Sequence, residues 1–345
     1  MPTTLDLEIA VAAHKVVRDL VALKKGESLL ITIDSLGYWR IAEETAKAAE
    51  AAGAKVLVAW HSTPPGYGKV GDPYLPDGLK AAIPETDVWV EYNNQWLLYS
   101  SAWEKALTNP KRVRYLFLGG LDEQQFVRCV GKIDLAIQKE FQDTLVNLTK
   151  KARSMRITNA AGTEVNFEND PKRPITNEGW ALEPGAHFLL GQIGWAPKEE
   201  SINGTIAFNG SFSGGGEADL GILSEPITFH VKRGVCEDIS GGDKAKFLKG
   251  WFARLKDPLM YHAAHVCYGF NPGVTRPTGR ILEDERVFGC LQLGIGPSRL
   301  GAPSHTDGVV LSPSVWADDV QLESEGRYVH PELVRLCREM GVPGY

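Results

Sequence analysis

His305-Thr306-Asp307, read with His265 forty positions earlier, offers two imidazoles and one carboxylate. That is the donor set of a mononuclear non-heme iron(II) site, in which three protein ligands leave coordination positions open for substrate and dioxygen. Side chains alternate along a strand, so a strand through Thr306 sends His305 and Asp307 to the same face. His265 would then arrive from a neighbouring element. His-x-Asp is short enough to recur by chance, so its surroundings decide its meaning.

Those surroundings belong to a chain of 345 residues with 43% hydrophobic and 23% charged residues, the make-up of a globular protein of about two domains. A net charge of −6 gives no basic footprint, so nucleic acid is not an expected partner. No apolar run approaches the ~20 residues that span a bilayer, and a membrane partner is not expected. The residues Met1-Pro2-Thr3-Thr4-Leu5-Asp6 lack the basic and apolar regions of a signal peptide, so a cytoplasmic protein is expected. Cys129, Cys236, Cys267, Cys290 and Cys337 are scattered without Cys-x-x-Cys spacing, which suggests neither a disulfide framework nor a structural zinc site. Cys267 and Cys290 flank the region of interest but read as small buried hydrophobes rather than ligands.

The elements that must position the triad fall into two parts. Residues 1–150 alternate strand-like and helix-like segments. Strands are expected at 28–34, 54–60, 87–92 and 113–119, and helices at 37–52 (ending at Gly53), 96–108, 122–130 and 134–151. That alternation predicts an α/β N-terminal domain with a parallel sheet. It carries neither a Gly-x-Gly-x-x-Gly fingerprint nor a Walker loop, so no dinucleotide site is expected despite the Rossmann-like rhythm. From about Arg153 the rhythm changes to strands punctuated by Gly and Pro, at 154–159, 163–168, 204–209, 227–232 and 309–311, with one helix near 244–255. Residues 151–345 therefore read as a β-rich α+β C-terminal domain carrying the metal site.

Ordered landmarks surround the triad. They are Thr176-Asn177-Glu178-Gly179-Trp180, Glu183-Pro184-Gly185, Gly204-Thr205, His265 with Gly269-x-x-Pro272, Gly294-x-Gly296, and His305-x-Asp307. In their order and spacing the chain resembles the 2,5-dihydroxypyridine 5,6-dioxygenases, distant relatives of the aminopeptidase T-like metallopeptidases. The likeness runs over nearly the whole chain and is strongest in the second domain. It implies that His265, His305 and Asp307 bind one iron(II), Fe(II). It further implies a ring-opening (extradiol-type) dioxygenase that inserts both atoms of dioxygen into a hydroxylated pyridine or related aromatic ring. The implied partners are a small aromatic or N-heterocyclic substrate and dioxygen, and a homo-oligomer is expected.

The chain departs from that family at one point. Where the family has an acid–base histidine after two leucine-like residues, this chain has Tyr99 after Leu97-Leu98. A tyrosine, with a reference pKa of about 10, is a poor base near neutrality but still donates a hydrogen bond. The proton-transfer role then passes to another group, with His187 as candidate, or the substrate differs. Glu178 is a second candidate for orienting work, set against a solvated surface role. Among Trp96, Trp103, Trp180, Trp195 and Tyr268, only Trp180 and Tyr268 adjoin landmarks, and these two are the candidate walls of a flat aromatic pocket. His14, His61, His230, His262 and His330 match no landmark, and His262 ranks behind His265. The competing reading is a metal-dependent hydrolase, an aminopeptidase or amidase with two metals. It needs additional carboxylates, and Glu283-Asp284-Glu285 reads as a solvated turn instead. A non-catalytic binding protein would leave the triad unexplained.

Overall fold

The computed structural model describes residues 5–109, 113–177, 179–214, 216–297 and 300–345. Its Cα positions divide into two compact units, Met1–Ile133 with Glu178–Leu190, and Asp134–Asn177 with Gly191–Tyr345. The first division falls between Ile133 and Asp134, just before the helix Leu135–Lys151, rather than near residue 150. That helix packs within the second unit, where Gln138 Nε2 donates to the Phe270 carbonyl at 3.0 Å and the rings of Phe141 and Phe270 lie 5.4 Å apart.

The first unit is built on a five-stranded parallel sheet. Its order is Lys55–His61, Ser28–Asp34, Val88–Glu91, Arg114–Phe117 and Gly185–Phe188. The continuous apolar run of Ser28–Asp34 suits a central strand covered on both faces, and six of its seven residues are buried. The helix Trp39–Ala51 connects the first two strands and stops at Gly53, whose φ of +80° is readily open only to glycine. The fifth strand is a departure from expectation. It comes from residues that read as part of the β-rich domain, because the chain returns to extend the open edge beside Arg114–Phe117.

The second unit holds two antiparallel sheets of eight and seven strands. Its core is rich in aromatic rings, among them Phe208, Phe212, Phe229 and Phe252 in successive edge-to-face or stacked contacts 5.3–6.1 Å apart. The seven-stranded sheet positions the site. Its central members are Thr306–Val310, Cys290–Ile295 and Ala263–Gly269, in that order across the sheet. Among the described residues no helix is long and apolar enough to cross a membrane.

Candidate metal centre

Register assembles the triad. On the strand Cys290–Ile295, Gly294 pairs with His265 on one side and Asp307 on the other. Residues directly opposite one another in a sheet share a face, so His265 and Asp307 flank Gly294 on one surface. An irregularity between Ala263 and His265 sets the local register, a device that re-aims side chains next to functional sites. Thr306 is the first residue of the strand Thr306–Val310 and is fully buried, while His305 and Asp307 on either side of it are partly exposed. The same-face expectation for His305 and Asp307 is met.

The ligand atoms of His265, His305 and Asp307 lie within 4.8 Å of one another, the only such group of three or more among the described residues. His305 Nε2 is 3.0 Å from Asp307 Oδ1, and His265 Nε2 is 3.4 Å from the same oxygen. The imidazole rings lie nearly parallel with centroids 5.0 Å apart. His305 Nδ1 donates to the Gly296 carbonyl at 2.7 Å, which turns Nε2 toward the carboxylate. A metal-binding histidine is normally anchored in this way by its other nitrogen.

The close approach demands a glycine. A Cβ on residue 294 would stand 2.4 Å from His265 Cε1 and 2.7 Å from His305 Cε1. Burial opposes charge on His305, but the Asp307 carboxylate, its hydrogen bond and the Gly296 carbonyl outweigh it and hold the imidazole up at about 9. Burial likewise pushes the Asp307 carboxyl up. The charge of His305 and hydrogen bonds from both histidines overcome this and hold it well below the usual carboxylate range. A carboxylate and two imidazoles that converge, with one ring anchored from behind, fit a divalent cation of the iron or zinc kind.

Sequence reasoning missed one neighbour of the triad. Gln292, two residues before Gly294 and so on the same face, is buried and donates from Nε2 to Asp307 Oδ1. The period-two step from the Gly294-x-Gly296 landmark was the signal that pointed to it.

Tyr268 is placed differently from expectation. It lies three positions after His265 on the same strand, hence on the opposite face. It is fully buried in the aromatic core, stacked on Trp195 at 5.1 Å. The acidic run near 283 also departs from a solvated turn. Glu283 and Asp284 are buried in the short helix Ile281–Asp284. Thr278 Oγ1 donates to Glu283 at 2.6 Å, and the Thr278 and Gly279 amides donate to Asp284 at 2.6 and 3.0 Å. These carboxylates tie down the 278–279 turn.

Tyr99, Trp180 and His187 belong to the first unit. Tyr99 is half-exposed with φ +66°, a left-handed conformation that costs a non-glycine residue about 1 kcal/mol. It immediately precedes Ser100, whose hydroxyl caps the helix Ser101–Thr108 by accepting from the Trp103 amide at 3.2 Å. The Tyr99 ring meets Trp103 edge-on at 5.3 Å. Beneath this turn, the buried Glu91 carboxylate accepts from the Leu97 amide and the Tyr115 hydroxyl, each at 2.5 Å. Burial pushes the Glu91 carboxyl up to about 8.

His187 sits on the edge strand Gly185–Phe188, 2.9 Å from the Glu183 carbonyl through Nε2. Burial lowers its pKa, so the neutral imidazole is favoured. Trp180 is partly buried and follows Gly179, where a Cβ would stand 2.6 Å from that of Leu190. Glu178 lies outside the described residues.

A parallel α/β unit joined to a unit of two antiparallel sheets, one of them bearing a His-His-Asp cluster, defines the class of protein. The family model of 2,5-dihydroxypyridine 5,6-dioxygenase matches residues 10–330, and the chain belongs to that family. A 2,5-dihydroxypyridine 5,6-dioxygenase of Pseudomonas putida is 25% identical over 211 residues, covering 54% of this chain and 57% of that relative's length. The solved structure of a 2,5-dihydroxypyridine dioxygenase from Pseudomonas putida KT2440 superposes with a TM-score of 0.78 at 20% identity, over 96% of this chain and 99% of that one. Wild-type AmpT from Thermus thermophilus superposes at 0.68 with 14% identity, over 95% and 100% of the two chains. At such identities the two likenesses establish the fold.

Proposed function

We propose that this protein is a mononuclear non-heme iron(II) dioxygenase that opens the ring of a hydroxylated pyridine or a related aromatic compound, using dioxygen as co-substrate. The observation that carries the reading is the convergence of His265, His305 and Asp307 on one face of the sheet, in a chain that belongs to a family of ring-opening dioxygenases. Iron(II), when bound, supplies the one-electron chemistry that dioxygen needs to react with a closed-shell ring. His265 and His305 would hold it through imidazole nitrogen and Asp307 through one carboxylate oxygen. The Gly296 carbonyl keeps the His305 ring aimed.

The remaining roles follow from resemblance and from side-chain chemistry. His187, kept neutral by burial, is suited to accept a proton from a ring hydroxyl near neutral pH. Tyr99 is suited to donate a hydrogen bond to a substrate oxygen. Trp180 offers a flat apolar face to an aromatic ring. Glu178 is retained as a substrate-orienting group on its landmark position alone. We expect a homo-oligomer acting in the cytoplasm.

The hydrolase reading is disfavoured by the donor set. Among the described residues the cluster holds a single carboxylate, and in the acidic run Asp284 is engaged by the Thr278 and Gly279 amides and Glu283 by the Thr278 hydroxyl. Two-metal hydrolysis needs bridging and additional ligands.

The test is an oxygen-electrode assay of protein loaded anaerobically with iron(II), against a panel of dihydroxylated pyridines and benzenes. Stoichiometric oxygen uptake with ring opening is expected from at least one ring, and none from the His305→Ala variant. No uptake with any ring, alongside peptide hydrolysis by the zinc- or cobalt-loaded protein, would overturn the proposal.

A further inference from the structure

Gln292 stands between two members of the triad. It occupies the central strand Cys290–Ile295, opposite Cys267 on one neighbour and Val309 on the other. Each of these lies two residues beyond a triad member, His265 and Asp307, so Gln292 projects from the same face as both. Its side chain is 1% exposed. From there Nε2 donates to Asp307 Oδ1 and lies 3.1 Å from His265 Nε2, while Oε1 lies 3.3 Å from that nitrogen. Burying a carboxamide is costly unless its polar atoms find partners. The contacts found for both polar atoms here are with the proposed ligands.

We propose that Gln292 is a positioning residue of the metal site, an inference that rests on the metal reading above. Its N–H fixes the rotation of the Asp307 carboxylate, and the flat amide holds the His265 imidazole against a swing out of ligating orientation. Being neutral, it does this without adding to the single negative charge of the ligand set. A glutamate at 292 would instead set a second carboxylate against Asp307, in the manner of a two-metal centre. Hydrogen bonds of this kind to metal ligands typically contribute 10–100-fold to metal affinity.

The test uses cobalt(II) as a visible stand-in for iron(II), added anaerobically to the full chain. Affinity is read by chelator competition, coordination by the visible absorption bands, and folding by thermal unfolding of the metal-free protein. Gln292→Leu and Gln292→Met keep the volume and burial while removing both polar atoms, so one variant stands in should the other fold poorly. Expected is an affinity 10–100-fold weaker with unchanged band shape, since three protein ligands remain. An affinity within twofold of the parent would reduce Gln292 to a space-filling residue. A changed band shape would make it a ligand in its own right and equally overturn the positioning role. A parent protein that binds no cobalt(II) would sink the metal reading itself, which separates the two failures.

Discussion

Replacing Gly294 by alanine adds one methyl group beside the two histidine rings, and its consequence can be worked from the geometry. The new Cβ would stand 2.4 Å from His265 Cε1, 2.7 Å from His265 Nδ1 and 2.7 Å from His305 Cε1. Ordinary contact begins at 3.4 Å, so His265 must retreat by 3.4 − 2.4, about 1.0 Å, and His305 by 3.4 − 2.7, about 0.7 Å. Metal–ligand distances tolerate about 0.2 Å. Both rings therefore leave ligating positions, although neither is itself altered. Gly294 is not among the glycines with positive φ, so alanine brings no backbone strain and the cost lies in the contact alone. A loss of about 100-fold in metal affinity is expected, about 2.7 kcal/mol. Chelator competition with cobalt(II) under nitrogen measures it, with circular dichroism of the metal-free variant as the control for folding. A folded Gly294→Ala protein whose affinity lies within threefold of the parent would refute the reasoning, because the rings would then have ligated from elsewhere.

Three other perturbations separate function from packing. Tyr99→Phe is expected to slow turnover about tenfold through loss of one hydrogen bond while leaving metal content intact; an unchanged rate would leave Tyr99 only its packing on Trp103. Tyr268→Ala is expected to cost about 3–5 kcal/mol of stability in denaturant titrations, as other large core truncations do, with metal affinity unchanged; altered substrate affinity at unchanged stability would restore it to the site. The third concerns pH. Glu91 takes its ordinary 4.5 in the unfolded chain, but burial raises it to about 8 in the fold. Between those values the folded protein holds a proton that the unfolded chain has released. Stability from this group is therefore full below pH 4.5 and falls as pH rises, by up to about 1.4 kcal/mol per unit, levelling off near 8. Glu91→Gln keeps an acceptor for the Leu97 amide and should flatten that slope in chemical unfolding curves between pH 5 and 8; a slope equal to the parent's would mean Glu91 is ionised in the fold.

Much of the architecture was legible because it rests on local pattern. The run Ser28–Asp34 and the helix ending before Gly53 lie where period and glycine placement put them. The segments that build the site were harder to read. Ala263–Gly269 and Cys290–Ile295 are buried along almost their whole length, so neither shows the alternation of polar and apolar residues that marks a half-exposed strand. Gly185–Phe188 joins the parallel sheet from a stretch that reads as part of the other domain, because strand addition depends on an open edge and not on chain position. Tyr268 sits beside a landmark in the chain, yet its three-residue offset from His265 sends it to the other face.

By itself the sequence determined which donor atoms the proposed metal site offers. Residue types set donor chemistry, and His305-x-Asp307 needs only local strand alternation to share a face. Only the tertiary structure decided that His265 joins them, since that depends on the register of two strand pairs meeting at Gly294. The same registers brought Gln292 between His265 and Asp307. Such contacts join residues far apart in the chain, and their partners are chosen by packing over a whole sheet.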